Sequence, residues 1–184
     1  MSVFKTVGIA VLLAGAAAVS GCKSLDKSPN VGPCPVAATI SDVERIAEIH
    51  GADTYANVGF TGQIDGVKGY CRYVGDDPID MNIDVDFSLG RGPKAEGDHK
   101  EYRYFVAVMR RDSVVLAKKY FTLDAKFGKG QTVVRRRENV GGIIIPRAAE
   151  TISGTNFEII VGFDLTPEEL EFNRAGKRFR MQTQ

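Results

Sequence analysis

The clearest pattern along the chain has a period of two. Ile79, Met81, Ile83, Val85, Phe87 and Leu89 alternate with Asp80, Asn82, Asp84, Asp86 and Ser88, which predicts a strand with one dry and one wet face. Phe157, Ile159, Val161, Phe163 and Leu165 repeat the alternation near the end of the chain. Phe105 to Met109 is continuously apolar, as expected of a central strand covered on both faces. Further strands are predicted at 36–40, 58–64, 67–74, 114–123 and 131–138. Asp65-Gly66, between Ile64 and Val67, is the signal of a two-residue hairpin.

Helix signals are few. Ser41-Asp42-Val43-Glu44 has the form of a capping box and predicts a short helix ending at Gly51. Thr166-Pro167-Glu168-Glu169 predicts another, with Thr166 as N-cap and Pro167 in the first helical position, running two turns through Asn173. Eight short strands with Gly-rich turns predict an all-β fold: an antiparallel β-sandwich, immunoglobulin-like or fibronectin-like in general shape, with one or two short helices. It should occupy residues 34–175, followed by a basic C-terminal tail at 176–184.

Residues 1–21 stand apart from this pattern. Lys5 supplies a positive start, and Val7 to Val19 is an apolar run of 13 residues. A membrane-spanning helix needs about 20, so the run has the length of a signal-peptide core instead. Val19-Ser20-Gly21-Cys22 follows, and it resembles the lipobox of bacterial lipoproteins. The resemblance implies that Cys22 becomes the lipidated first residue of the mature chain, with a secreted chain bearing a chance Cys as the alternative. Several acyl chains inserted together make an effectively permanent anchor at about 0.8 kcal/mol per buried CH₂. The residue after Cys22 is Lys23 rather than the Asp that favours inner-membrane retention in enterobacterial lipoproteins. That implies an outer-membrane, periplasm-facing location, with the inner membrane and the cell surface as alternatives. Residues 22–33, polar and carrying Pro and Gly, form a lipidated tether; its eleven residues after Cys22 reach at most about 36–40 Å.

With Cys22 committed to lipid, Cys34 and Cys71 remain, and an even pair in an oxidising compartment predicts a disulfide. A redox pair or a metal site is the competing reading, but no C-x-x-C motif and no nearby His supports either. Composition changes the picture little: 43% hydrophobic and 26% charged residues exclude a disordered, collagen-like or multi-span membrane chain. Twenty-four basic and 23 acidic residues give +1, which argues against nucleic-acid binding by bulk charge.

Cys-Pro-Val at 34–36, Gly-Tyr-Cys at 69–71, Arg-Gly-Pro at 91–93, Tyr-Phe-Val-Ala-Val at 104–108, Leu-Ala-Lys at 116–118 and Val-Gly-Phe-Asp-Leu-Thr-Pro-Glu-Glu-Leu at 161–170 follow in order. Together with the lipobox they resemble a family of small alphaproteobacterial envelope lipoproteins, over most of the mature chain. The resemblance implies location and a β-rich domain, and none of its segments is a catalytic motif.

A search for chemistry finds little. The chain has no G-x-S-x-G motif, and Gly128-Lys129-Gly130-Gln131 has the wrong spacing for a phosphate loop. His50 and His99 lack an orienting partner in sequence and read as surface or capping residues. Asp80-x-Asn82-x-Asp84 opens like a calcium loop, but Val85 stands at the turn position and Arg91 at the closing one, so no cage can form. Asp80, Asp84 and Asp86 read instead as the outer face of a strand, with Arg135 and Arg137 as cross-sheet partners, and as a possible docking surface. Arg174, Lys177, Arg178 and Arg180, interleaved with Phe172 and Phe179, read as a solvated terminus or as a contact to anionic lipid or cell-wall carboxylates. These readings predict a non-enzymatic module without cofactor or metal. It would be held to the membrane through Cys22 and would bind or scaffold another envelope protein. A domain binding cell-wall glycan or peptide is the alternative, weakened by the absence of Trp.

Overall fold

The structure is a computed structural model that describes residues 30, 32–111, 114–179 and 181. The segments expected to be a signal peptide and a lipidated tether, with Cys22, lie mostly outside the described residues. Two four-stranded sheets face each other. One has the order β1 (Val36–Thr39), β8 (Phe157–Phe163), β5 (His99–Arg110), β6 (Val114–Lys126). The other has β2 (Arg45–Ile49), β3 (Val58–Arg72), β4 (Ile79–Arg91), β7 (Val133–Ile145). Every pairing is antiparallel except β1 with β8. The chain is therefore the β-sandwich that its alternating pattern predicts.

β4 is the centre of the argument. Its odd-numbered side chains from Ile79 to Leu89 are all buried, and its even-numbered ones face out between β3 and β7. The dry faces of the two sheets meet through aromatic rings. Phe87 packs edge-on to Tyr104 of β5 at 5.2 Å between centroids and lies 5.9 Å from Phe163 of β8. Rings at such distances add to the burial of apolar area about 0.5–1.5 kcal/mol per pair. Over Phe105–Met109 the inner face of β5 is buried, while on its outer face only Ala107 is, with Phe105 and Met109 half-exposed, so the strand is covered less fully than its apolar run predicts. Inside it meets β4, and outside Phe105 is flanked by Tyr120, with ring centroids 6.4 Å apart.

Two local signals give way to long-range pairing. Asp65-Gly66 is not a hairpin turn: β3 runs straight through it, and the register against β4 slips there, between Ile64 and Gly66. A type I′ turn needs positive φ at both central residues. Gly66 lacks it, whereas Gly75, at φ 52°, turns the chain between β3 and β4. The extra residue becomes a β-bulge, and the Asp65 carboxylate accepts a hydrogen bond from the Ser88 hydroxyl on β4. The two segments predicted as separate strands at 58–64 and 67–74 are one strand.

The helix expected at 41–51 is also absent. Ile40 O accepts from the amides of Val43 and Glu44, which makes a single turn, and Arg45–Ile49 then pairs with β3 as β2. The cap signal is local and worth about 1 kcal/mol, whereas the strand gains a whole ladder against β3. The turn itself is used. Val43 packs over Gly162 of β8, where a Cβ would come within 2.4 Å of the valine side chain. The second helix forms as expected, as α1 (Pro167–Arg174). Thr166 Oγ1 accepts from the Glu169 amide at 3.2 Å, and Glu169 Oε2 accepts from the Thr166 amide at 2.8 Å. Asn173 ties this helix to β2, its amide donating to the carbonyls of Asp42 and Arg45, each at 2.8 Å.

Candidate interaction surfaces

Cys34 and Cys71 are joined by a disulfide, with their Cα atoms 5.6 Å apart. The bond pins the chain just before β1 to the far end of β3, and other contacts gather around it. The Asn30 side chain donates to Cys71 O at 3.2 Å and accepts from the Tyr73 amide at 3.0 Å, in the manner of an added strand. Tyr73, buried, donates its hydroxyl to Pro33 O at 2.8 Å and accepts from the Gly154 amide at 3.1 Å. A Cβ on Gly154 would lie 2.2 Å from Pro33 O, so only glycine allows these two segments to touch. Arg147 stacks over the Tyr73 ring, its guanidinium carbon 4.8 Å from the centroid. Asn30 and the segment just before β1 meet the fold at this end of the sandwich.

The three aspartates lie on the outer face of β4, and two of them have partners. Asp86 is bound by both forks of Arg137, Nε to Oδ1 at 2.6 Å and Nη2 to Oδ2 at 2.9 Å. These hydrogen bonds hold its carboxyl below the usual carboxylate range. Asp84 accepts from the Asn139 amide at 2.8 Å, and Asp80 stands opposite Arg72 of β3. Arg135 is in register with Ser88, one step along β7 from the partner of Asp86. The face is a set of cross-strand pairs, and no group of three potential metal ligands occurs among the described residues. The sequence signal for Arg137 was its place on the same face of β7 as Arg135.

Each histidine has a carboxylate that the sequence does not reveal. His50 Nε2 is 2.7 Å from Glu48 Oε1, and His99 Nε2 is 3.2 Å from Asp124 Oδ1 on β6. Both pairs are at the surface, and Glu48 is shared with Lys100 at 2.6 Å. His99 is the first residue of β5.

β6 is one of the two edge strands of the first sheet. β6 is buried only at alternate positions in its second half; Val114 to Tyr120 is exposed throughout. Val115 is 55% exposed, Leu116 46% and Tyr120 42%. The opposite sheet ends here at β7, with Ile144 57% exposed. Between them lies an apolar cleft of about 490 Å³, walled by Val108, Leu116, Ile145 and Phe157. On the outer face, Lys118 sits 3.9 Å over the Phe105 ring and Arg103 4.4 Å over Tyr120.

The C-terminal segment is seated on the fold rather than frayed. Met181 is buried, Phe179 stacks on Phe172 at 5.9 Å, and Lys177 pairs with Asp53. Arg180 lies outside the described residues. Among the described residues no helix is long and apolar enough to cross a membrane.

No family model matches the chain, and no curated protein does. Among solved structures, the Streptococcus agalactiae AgI/II polypeptide BspA variable (V) domain is similar at 12% identity, over 74% of this chain and 88% of that one. Its TM-score is 0.19, too low to carry an argument.

Proposed function

We propose that the protein is a lipid-anchored, periplasm-facing envelope lipoprotein without enzymatic activity. In this reading it takes an extended segment of another envelope protein along the free edge of β6. The observation that carries it is the run Val114–Tyr120, exposed on both faces at the end of a sheet. An unpaired strand edge offers a row of backbone donors and acceptors, and an added strand supplies affinity through that ladder and specificity through alternate side chains. Here Lys118 and Lys119 discourage pairing with a second identical edge and favour an acidic segment, while Val115, Leu116 and Tyr120 offer apolar contacts.

The aspartate face supports this role less, because Asp86 and Asp84 are already engaged within the sheet. A glycan platform is also less favoured: Tyr70 lies on the second sheet and Tyr120 on the first, so the two rings share no face. The lipid at Cys22 rests on the lipobox alone.

The test uses the full chain expressed in a bacterial host that processes lipoproteins. An acyl analogue should label the wild type and leave Cys22→Ser unlabelled; equal labelling of both overturns the anchor. A photocrosslinker at Val115 should capture an envelope protein whose recovery is lost in Leu116→Lys at an unchanged melting temperature. Undiminished capture in Leu116→Lys overturns the edge reading.

A further inference from the structure

The outer face of the second sheet carries a cleft that the edge of β6 does not involve. Its floor is one lateral row across all four strands: Arg45 on β2 is paired with Gln63 on β3, Gln63 with Ser88 on β4, and Ser88 with Arg135 on β7. Side chains directly opposite one another on adjacent strands share a face, so this row presents two guanidinium groups flanking an amide and a hydroxyl. The C-terminal segment crosses above and contributes a third arginine, Arg178, together with Phe179 and Met181. The enclosed volume is about 420 Å³, within the range of small-molecule sites.

The segment is held there by a close fit. A Cβ on Gly90, in the next row of β4, would lie 2.3 Å from Thr61 Oγ1 and 2.6 Å from Met181 Cγ. Tyr55 Oη reaches the Met181 sulfur at 3.7 Å from the other side. The roof of the cleft is therefore a seated part of the fold, and residues far apart in sequence meet there.

Three arginines line one cavity, and among the described residues no carboxylate does. Two carboxylates that touch the floor residues are already engaged: Glu44 pairs with Arg45 through Nη1, and Asp65 accepts from Ser88. Arg45 Nε is buried without a hydrogen-bond partner among the described residues. A buried donor left unpaired is costly, and a cationic one more so. An anion in the cleft would offset the charge of this guanidinium without reaching Nε itself, which is closed to solvent. We infer that this cleft binds a small molecule through an oxyanion, a carboxylate or a phosphate. The guanidinium forks match both groups, and Phe179 and Met181 form an apolar wall for the remainder of the molecule.

Calorimetric titration of the folded chain tests this at constant ionic strength, with chloride as the balancing salt. The probes are inorganic phosphate and N-acetyl-alanyl-alanine, which carries a single carboxylate. The expected result is saturable one-to-one binding of at least one probe. It should weaken tenfold or more in Arg135→Gln and in Arg178→Gln, both exposed positions, and stay unchanged in Arg103→Gln on the opposite sheet. Binding of phosphate alone identifies a phosphate site; binding of the peptide alone, or of both, identifies one that accepts carboxylates. Gly90→Ala, which unseats Met181, should weaken binding without touching any arginine. If neither probe saturates, or if both arginine variants bind as the wild type does, the inference is overturned.

Discussion

Arg147 ties together the end of the sandwich that holds the disulfide and Tyr73, and its removal should be felt well beyond one surface residue. Its Nε donates to Asp77 O at 2.7 Å, Nη1 to Glu150 O at 3.1 Å and Ile152 O at 3.0 Å, and Nη2 to Gly75 O. Four carbonyls from two loops thus share one planar cation, which also covers the buried Tyr73 ring. A hydrogen bond to a charged group contributes about 1.5–3 kcal/mol when buried. Two of these contacts are exposed and two part-buried, so the carbonyls regain water in the variant and about 0.5–1 kcal/mol each is the better figure. Contact with the ring adds about 0.5–1 kcal/mol. Arg147→Met should therefore cost about 3 kcal/mol, and roughly 6–12 °C in melting temperature for a domain of this size. Arg147→Lys keeps the charge but not the planar fork, reaches one or two of the carbonyls, and should restore less than half. Urea unfolding of the oxidised protein measures both. A loss below about 0.5 kcal/mol in Arg147→Met, the usual range for a surface substitution, would refute the reasoning.

Three further outcomes follow from named contacts. Because Arg137 holds the Asp86 carboxyl low, the pair supports the fold above the ordinary carboxylate range and its support fades as pH falls through the folded midpoint. Carboxyl-carbon NMR titration should show the Asp86 midpoint rising in Arg137→Gln, and an unmoved midpoint contradicts the pairing. Burial, helped by Glu138, pushes the Tyr104 phenol up to about 12. Its contribution to stability is complete below about pH 10 and is lost as pH rises towards the folded value. Tyr104→Phe should accordingly remove an ionisation near the upper end of an absorbance titration; loss of one near pH 10 instead would mean the phenol is not buried. Cys34→Ser with Cys71→Ser opens a 38-residue loop and should cost about 4 kcal/mol on the chain-entropy account. An unchanged urea midpoint would mean that Asn30 and Tyr73 hold the segment unaided.

What the sequence discloses divides along the range of the interactions. β4, β8 and α1 were legible because their signals are self-contained: alternation over eleven positions, alternation over nine, and a capping box that closes within four residues. The disulfide was legible because only two cysteines remain once Cys22 is set aside. Asp65-Gly66 and Ser41–Glu44 misled because each is a strong local signal inside a stretch whose conformation is decided by a distant partner. β3 continues because β4 offers it pairing from Phe60 to Arg72, and β2 is extended because β3 has an open edge beside it. Local preferences of about 1 kcal/mol do not outweigh a ladder of that length.

The same division explains the candidate sites. The exposed half of β6 reads in sequence as an ordinary strand, since Val114, Val115 and Leu116 would suit a core equally well. Only the strand order shows that β6 is an edge, and strand order is a property of the whole chain. The arginine cleft is more hidden still. Arg45 sat in a segment predicted as helix, Arg135 was assigned to the aspartates, and Arg178 to a tail read as solvated or as touching anionic lipid or cell-wall carboxylates. Four paired strands bring the first two to either end of one row, and a methionine seated over a glycine brings the third above it. A substitution at Gly90 would therefore act on arginines it never touches. For that reason Gly90→Ala, rather than the loss of any single arginine, separates a site built by the fold from a patch of surface charge.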